Sequence, residues 1–356
     1  MGTPSQAMAR RGGWAVMDGD GSGRILVVDD DPEMRRLLAE FLRGEGFRVD
    51  LAGGEGKRLR PFLRYVQGTE RPKQFCAIIG TRSMLRHTVD RARWLIPAER
   101  TVTVITAGYR PFMAGDLVAE RSRILLEQPW NRDTAPGILL PLLVILRRDP
   151  EARVVLFPSD HFVLEEGRFM THVAEAVAAI GRAPDRVALL GIAPEHPGPG
   201  YGWIEAGAPL GGSPLLEVRR FWEKPDAAMA RRLFARGCLL NTFVMVAAAR
   251  RLWDLTREFL PDLATRFGRI ANAWDSPRRE AVLREEYAAM RPANFSREVL
   301  ERDVGCLAVL PVQKVLWSDW GEPARVVETV RRMGIAPWWA RVSSPVEGHR
   351  DARGHV

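Results

Sequence analysis

Lysine is scarce in this sequence. Of 52 basic residues, four are lysine (Lys57, Lys73, Lys224 and Lys314) and 48 are arginine. In so skewed a composition, each lysine marks a position where a compact ammonium stands in place of a planar guanidinium. Because an ammonium fits beside a phosphate as a point charge, the lysines are candidates for phosphate contacts. Four residues are a small sample, and chance is the alternative.

Cysteine is equally rare. Cys76, Cys238 and Cys306 lie far apart, are odd in number and fall in no metal-ligand spacing. This pattern excludes a disulfide framework and a zinc-finger site, and it predicts buried, reduced thiols.

Long apolar runs are absent too. No segment is apolar for the length that a bilayer requires, and no apolar stretch follows the basic residues of the first 13 positions. The net charge is +8, but the arginines are scattered and form no dense basic run interleaved with aromatics. We therefore expect a cytoplasmic location, with neither a membrane nor a nucleic acid as partner. An anionic small substrate needs only a local basic pocket.

Strand-like and helix-like segments alternate through most of the chain. The strand candidates are residues 101–106, 154–158, 187–192, 218–222, 242–246 and 306–311. The helix candidates are residues 83–95, 135–146, 169–180, 227–235 and 250–260. Such alternation predicts an α/β fold with a mainly parallel central sheet and helices on both faces.

The start of the chain follows a different pattern. Residues 24–28 read as a buried strand that ends in Asp29, Asp30 and Asp31, residues 34–42 have helical spacing, and residues 47–51 alternate like a strand. This stretch resembles the opening of a response-regulator receiver domain, without the later strand that carries the phosphoacceptor aspartate. We expect four segments: a mostly flexible N-terminal segment over residues 1–23, a receiver-like βαβ fragment over 24–50, the main domain over 51–335, and a flexible tail over 336–356.

A glycine-rich loop follows the strand at residues 47–51. Gly53, Gly54 and Gly56 let backbone N–H groups approach a polyphosphate without obstruction by side chains. Arg58 and Lys73 supply positive charge nearby. The spacing differs from that of a Walker A loop.

Several acidic residues stand where chemistry is expected. Asp160 follows the apolar strand at 154–158, and Asp319 is the acid of its own local apolar run. Two carboxylates brought together are suitable ligands for one Mg²⁺, whereas a lone aspartate at a strand end is usually a helix cap. Glu223 and Lys224 follow the strand at 218–222 and point to opposite sides if they are extended, with a surface ion pair as the alternative. His161 is expected to be structural.

The motifs appear in the order typical of one family. The runs LAGGEGKRLRP with RPKQF, NRDTAP, PSDH, GYGWIE, FWEKP and WSDWG together resemble sugar-1-phosphate nucleotidyltransferases, most nearly mannose-1-phosphate guanylyltransferases, over residues 51–335. The fold that this resemblance implies is a three-layer α/β/α sandwich.

The resemblance also implies residue roles. Nucleotide binding falls to Gly53, Gly54, Gly56, Asn131, Arg132, Asp133, Thr134 and Ser159. Sugar binding falls to Tyr201, Gly202, Glu223 and Asn241, the phosphate contacts to Arg58, Lys73 and Lys224, and Mg²⁺ to Asp160 and Asp319. The implied reaction joins GTP, or another nucleoside triphosphate, to a sugar 1-phosphate, with mannose 1-phosphate giving GDP-mannose. A homodimer stays open. The alternative function is a non-catalytic nucleotide-binding or signalling protein with a degenerate receiver segment.

Three departures from the family pattern stand out. Asp133 occupies a position where asparagine is common, and Asn241-Thr242-Phe243 replaces the usual asparagine-serine-glycine. The opening strand is interrupted, because residues 14–17 look like its beginning but residues 18–50 separate them from Leu51. The strand before the glycine loop is expected to lie centrally in the sheet, covered on both faces.

Overall fold

The computed structural model describes residues 16–17, 23–28, 48–52, 59–67, 71–113 and 124–335, and positions 337 and 339. These residues form two compact units. The larger unit is Leu85–Asp319, and the smaller unit combines the chain up to Met84 with the chain from Trp320 onward.

The larger unit is built on a six-stranded sheet. Its strands are β6 (Arg153–Leu156), β8 (Val187–Ile192), β9 (Gly202–Pro209), β10 (Leu216–Glu223), β11 (Leu239–Ala248) and β12 (Leu307–Val312). They lie in the order β6-β11-β8-β12-β10-β9. Two further pairs, β4 (Val102–Thr106) with β5 (Ile124–Gln128) and β7 (Phe162–Val163) with β13 (Trp317–Ser318), form separate two-stranded ladders.

Helices cover both faces of this sheet. Those that pack against it are α3 (Thr134–Arg148), α4 (Glu166–Arg182), α5 (Ala227–Ala235), α6 (Ala249–Phe259), α7 (Pro261–Ala273) and α8 (Arg279–Ala289), and α2 (Met84–Ala92) precedes them in the chain. One core holds Val187 and Leu189 with side chains from α3, α6, α7 and α8, and the other holds Ala188 and Leu190 with side chains from α4 and α5. Alternate residues of β8 thus enter opposite cores, and the predicted three-layer α/β fold is confirmed.

The sheet is mixed rather than mainly parallel in the described residues. The single parallel pairing among its six strands is β8–β12. β11 lies antiparallel between β6 and β8, so β6, β8 and β12 still run in one direction. β11 is covered on both faces, and a strand buried in this way reads as a continuous apolar run in either direction. The sequence pattern therefore could not reveal its orientation.

Most element positions agree with the sequence expectations. The strand at 187–192 and the helix at 227–235 have the predicted bounds. The other predicted elements shift by at most three residues at an end. No helix in the described part of the chain is both long and apolar enough to cross a membrane.

The smaller unit contains a three-stranded sheet. Its strands β1 (Val16–Met17), β2 (Gly23–Val28) and β3 (Arg48–Ala52) lie in that order, with β1–β2 antiparallel and β2–β3 parallel. The two strands predicted at the start of the chain are present, while the helix expected at residues 34–42 lies outside the described residues. In the described residues β3 pairs with β2 alone, which differs from the central place expected in the large sheet. The alternation of Arg48 and Asp50 along β3 is poorly suited to burial on both faces.

Helices α1 (Arg60–Gln67) and α9 (Pro323–Arg332) belong to the same unit. Trp339 connects its parts: its ring lies 5.1 Å from that of Phe62, edge to face. The Trp339 indole N–H also donates to the Ile78 carbonyl at 3.0 Å.

Candidate functional site

The hairpin of β9 and β10 brings the predicted sugar-binding residues together. Gly202 lies directly opposite Glu223 in the antiparallel ladder. A Cβ atom on Gly202 would lie 3.1 Å from the ring of Phe221 and 3.2 Å from both Asn241 Cβ and Glu223 Oε2. Any side chain at position 202 would therefore fill the space between Glu223 and Asn241.

Asn241 reaches this place through the antiparallel pairing of β11 with β9. Leu240 lies opposite Trp203 in that ladder, so the next position sets Asn241 opposite Gly202. The register with β8 shifts between Asn241 and Met245. Within the shifted segment Asn241 Oδ1 accepts from the Phe243 amide at 3.1 Å, and the Thr242 hydroxyl donates to the Leu190 carbonyl at 2.8 Å. Phe243 has φ of 61°, a left-handed conformation that favours glycine. The family's usual glycine thus matches a backbone requirement that Phe243 meets under strain.

Lys224 is held by its backbone. Its φ is 50°, and its amide donates to the Tyr201 carbonyl at 3.1 Å. Lys224 Nζ lies 3.9 Å from Glu223 Oε1, with the lysine side chain 59% exposed and that of the glutamate 10% exposed. The pair is therefore asymmetric: the carboxylate is enclosed and the ammonium faces solvent.

Burial raises the pKa of Glu223 above its ordinary value. Lys224 and Arg297 oppose this effect, while the negative charges of Glu301 and Asp133 reinforce it. Arg297 and Glu301 therefore lie within electrostatic range of the sugar-binding hairpin. Arg297 belongs to a π-helical turn at Ser296–Leu300, and Glu301 follows it. Such turns are rare and frequent at functional sites, and no sequence period identifies them, which is why neither residue was predicted.

The predicted base-recognition segment is the N-terminal cap of α3. Asp133 Oδ1 accepts from the Thr134 amide and from Asn294 Nδ2 at 3.2 Å. The Arg132 guanidinium donates to the carbonyls of Tyr287 and Ala288 at 2.9 and 3.0 Å. Through these hydrogen bonds Arg132 connects the start of α3 to the end of α8.

The remaining residues of the segment join the same contacts. Asn131 Oδ1 accepts from the Asp133 amide at 2.9 Å, and the Thr134 hydroxyl accepts from the Phe295 amide at 2.8 Å. Together these bonds fix the loop between β5 and α3. Their role in nucleotide binding stays a prediction.

Asp160 and Asp319 lie at the same end of the β7–β13 ladder. Ser318 pairs with Phe162 in that antiparallel ladder, so the next position sets Asp319 opposite His161, the neighbour of Asp160. Ser159 and Asp160 lie in the turn between β6 and β7. In the described residues no group of three or more His, Cys, Asp or Glu side chains is arranged to hold a metal ion.

Trp317 connects this strand end to the sugar-binding hairpin. Its ring lies 5.3 Å from the ring of His161 and 5.8 Å from that of Tyr201. Tyr201 precedes Gly202, and its carbonyl accepts from the Lys224 amide. One aromatic cluster therefore joins the two carboxylates to the Gly202–Glu223 pair.

The other predicted site residues belong to the smaller unit. Lys73 begins a short 3₁₀ turn, Lys73–Phe75, and its carbonyl accepts from the Cys76 amide at 3.0 Å. Gly53, Gly54, Gly56 and Arg58 lie outside the described residues. All three cysteines are buried free thiols, as predicted.

Comparison with known proteins identifies the class. A family model described as nucleotidyl transferase matches residues 48–330, and the chain belongs to this family. The predicted resemblance to sugar-1-phosphate nucleotidyltransferases is confirmed.

Two curated proteins of similar sequence illustrate the comparison. The chain is 31% identical over 299 residues to the xanthan biosynthesis protein XanB of Xanthomonas campestris pv. campestris strain B100, covering 80% of this chain and 60% of the relative. It is 28% identical to the mannose-1-phosphate guanylyltransferase of Escherichia coli strain K12, covering 77% of this chain and 58% of the relative. The chain thus spans about 60% of the length of these curated relatives.

Solved structures agree on the fold. A Thermus thermophilus protein titled mannose-1-phosphate geranyltransferase superposes with a TM-score of 0.65 at 27% identity, covering 76% of this chain and 74% of that one. A protein titled mannose-6-phosphate isomerase from Helicobacter pylori has a TM-score of 0.57 at 17% identity, over 69% and 95% of the two chains, and indicates the fold alone.

Proposed function

We propose that this protein transfers a nucleotidyl group from GTP to mannose 1-phosphate, giving GDP-mannose and pyrophosphate. Family membership supports the reaction class, in which a nucleoside triphosphate and a sugar 1-phosphate are the substrates. Relatives named mannose-1-phosphate guanylyltransferase support the choice of base and sugar.

The observation that carries the proposal is the set of side chains gathered around Gly202. Glu223 Oε2 and Asn241 Cβ both lie 3.2 Å from the position that a Gly202 Cβ would take. An enclosed carboxylate and the amide side chain of Asn241, a residue only 7% exposed, are a pair of groups suited to sugar hydroxyls. Lys224, whose side chain is 59% exposed, is proposed to contact the adjoining phosphate.

The proposed chemistry is a single in-line displacement. A phosphate oxygen of the sugar 1-phosphate attacks the α-phosphorus of the triphosphate, the new P–O bond forms, and the bond to the β-phosphate bridging oxygen breaks. That oxygen leaves with pyrophosphate. Because the attacking phosphate is already ionised near neutral pH, the reaction requires no general base. The protein then contributes positioning and charge neutralisation.

Asp160 and Asp319 are proposed to hold a magnesium ion. Two carboxylates at one strand end supply hard oxygen ligands for an ion that usually keeps waters and takes substrate phosphates as its remaining ligands. When bound, Mg²⁺ would neutralise charge on the phosphates. Lys73, Arg58 and the amides of the glycine loop are proposed to hold the outer triphosphate, and Asn131, Asp133, Thr134 and Ser159 to orient the nucleoside.

A substrate panel tests the proposal. Pyrophosphate release is measured for GTP, ATP, UTP and CTP against mannose 1-phosphate and glucose 1-phosphate. We expect GTP with mannose 1-phosphate to give the highest kcat/KM, because the Asp133 carboxylate suits the N1–H and amino donors of guanine. A higher value with ATP or UTP contradicts the base assignment, and no turnover with any pair favours the non-catalytic alternative.

The metal assignment has its own test. In Asp160→Asn and Asp319→Asn we expect kcat to fall by about a hundredfold or more, since several kcal/mol of charge stabilisation is lost. Asp254→Asn, which replaces a partly exposed aspartate paired with Arg257, is the matched control. Full activity in either site variant, with the fold intact by circular dichroism, removes the assignment.

A further inference from the structure

Two adjacent glutamates stand at the start of α4, and both direct their carboxylates away from that helix. Glu165 is the residue before the first turn, yet its side chain makes no capping hydrogen bond. Its Oε2 instead accepts from the Leu316 amide at 2.7 Å. The neighbouring Glu166 accepts from Arg91 Nη1 at 3.2 Å. Neither contact belongs to the catalytic groups described above.

A series of contacts connects Glu166 to the turn that contains Asp160. Arg91 is only 3% exposed and is the single buried basic side chain in the described residues. Its Nη2 donates to the Thr88 hydroxyl at 3.3 Å, and that hydroxyl donates to the Pro158 carbonyl at 3.4 Å. Pro158 lies two residues before Asp160. The two outer bonds are long and individually weak, and the Arg91–Glu166 contact joins a buried guanidinium to a carboxylate that is 21% exposed.

The hydrogen bond of Glu165 holds the backbone just before the strand that precedes Asp319. A short bond from a backbone amide to an ionised carboxylate is among the stronger hydrogen bonds in proteins. The Leu316 carbonyl in turn accepts from the Leu164 amide at 3.0 Å, so both backbone polar groups of Leu316 are bound. Leu316 immediately precedes β13, whose last residue, Ser318, is followed by Asp319.

Both paths begin on one rigid element. Phe169, Met170 and Val173 anchor the first turns of α4 in the core, each at most 4% exposed. The Arg91 guanidinium also lies 5.9 Å above the Phe169 ring. Two segments that are both bound to consecutive residues at the start of this core-anchored helix would keep a fixed separation, which a two-carboxylate metal site requires.

We propose that Glu165 and Glu166 are positioning residues that set the separation of the Asp160 and Asp319 carboxylates. The inference rests on the proposed function for its metal site. Removing the Arg91 guanidinium from water beside Glu166 costs free energy. Well-packed apolar residues at such positions often give a protein equal or greater stability. The pair therefore serves geometry, and its removal changes metal binding more than it changes folding.

Metal binding by the full chain is the primary measurement. Mn²⁺, which shares the oxygen ligands of Mg²⁺, is titrated alone, without substrates, and the free ion is followed by electron paramagnetic resonance. In Glu165→Ala we expect the Mn²⁺ Kd to rise by about tenfold or more, the loss typical when a group supporting a metal ligand is removed. Glu165→Gln retains an oxygen that can accept from the Leu316 amide. Its Mn²⁺ Kd is therefore expected to lie between that of wild type and that of Glu165→Ala.

The Glu166 path needs a variant that folds. Glu166→Gln alone leaves the Arg91 charge buried without its partner, so the double variant Arg91→Met with Glu166→Leu removes both charges together. We expect its thermal midpoint to stay within a few degrees of wild type while its Mn²⁺ Kd rises by about tenfold. Glu175→Gln, on the same helix and 46% exposed at its side chain, is the matched control.

Activity supplies a second readout. The Mg²⁺ concentration for half-maximal rate is expected to rise by about tenfold in the Glu165 variants and the double variant, with KM for the sugar phosphate unchanged. A wild type that binds Mn²⁺ through Asp160 but releases no pyrophosphate overturns the proposed function and leaves the positioning role supported. The positioning role is overturned by a wild-type Mn²⁺ Kd in Glu165→Ala and the double variant, or by a wild type that binds no Mn²⁺.

Discussion

At Lys224 a positively charged side chain and an unusual backbone conformation coincide. Its φ is 50°, and the amide bond to the Tyr201 carbonyl holds the residue beside Gly202. Lys314 also has a positive φ, 55°, but it lies outside the family motifs. Comparing substitutions at these two lysines therefore distinguishes an effect of backbone strain from an effect of the ammonium group.

Replacing the motif lysines with arginine tests the importance of the ammonium. Lys73→Arg and Lys224→Arg keep the charge, but a planar guanidinium does not replace a compact point charge beside a phosphate. We expect kcat/KM to fall by about tenfold or more in each, equivalent to about 1.4 kcal/mol or more of transition-state binding. Lys314→Arg is the matched control and retains normal kinetics. Near-normal rates in both site variants would show that the scarcity of lysine carries no functional information.

Glu223 gives a prediction on pH. Because burial raises its folded-state pKa above the ordinary value of 4.5, the folded protein loses stability as pH rises from that value through the raised pKa. Above this range the buried charge remains a cost. Glu223→Gln removes it, so the variant is expected to have the higher thermal midpoint at pH 7, with the difference shrinking towards zero below pH 4.5.

The same substitution weakens substrate binding. Loss of a hydrogen bond to a charged group is worth about 1.5–3 kcal/mol, so KM for the sugar phosphate rises by about tenfold or more. Glu175→Gln, exposed on α4, is the control for both measurements. A variant that is less stable than wild type at pH 7 contradicts the account of Glu223.

At the scale of elements, the loop before α3 combines a helix cap with the predicted base contact. Asp133 has φ of 70°, a conformation that asparagine and aspartate adopt more readily than most residues. Its carboxylate caps the helix, and Asn294 donates to the same oxygen. Capping and the proposed base recognition therefore involve one side chain and can be separated by substitution.

Asp133→Asn makes that separation. Asparagine caps helices about as well as aspartate, so the thermal midpoint is expected to change little. The amide nitrogen cannot accept from guanine, and KM for GTP is expected to rise by about tenfold while KM for ATP changes less. Asp226→Asn alters the cap of α5, where Asp226 Oδ1 accepts from the Met229 amide at 2.7 Å, and serves as the control. An unchanged preference for GTP in Asp133→Asn would argue that the carboxylate does not read the base.

At the scale of the whole molecule, the opening of the chain departs most from the family pattern. β3, which leads to the glycine loop, pairs with β2 of the receiver-like segment. In the larger unit β6 pairs with β11 alone among the described residues. Val104 of β4, Leu126 of β5 and Leu156 of β6 pack against the same hydrophobic core, so the β4–β5 ladder and the six-stranded sheet share that core.

Removing the inserted segment tests whether it displaces the original strand. The variant lacks residues 18–49 and carries Asp50→Val, so that residues 14–17 join Leu51 in one apolar run. We expect higher kcat/KM and a higher thermal midpoint, rising by about 2–4 °C for each kcal/mol gained. The control is Asp50→Val in the full-length chain. If the deletion variant is less stable and less active, the receiver-like segment is an integral part of the fold.

The sequence by itself determined the family, the α/β class and most element positions. Helix 227–235 and strand 187–192 were predictable because apolar periodicity follows directly from which faces are covered. The predicted site motifs were also visible locally, since Gly202 and Glu223 stand at strand ends and Asp160 in the turn between two strands, each within a short characteristic run.

Only the tertiary structure decided which residues meet. The direction of β11, the pairing of β11 with β9 that sets Asn241 beside Gly202, and the π-turn that brings Arg297 near Glu223 depend on contacts between segments distant in sequence. The paths from Glu165 and Glu166 to the Asp160 and Asp319 strand ends span up to 151 positions. Local patterns record burial and backbone preference, whereas these pairings depend on how separate elements pack, and packing has no local signature in the sequence.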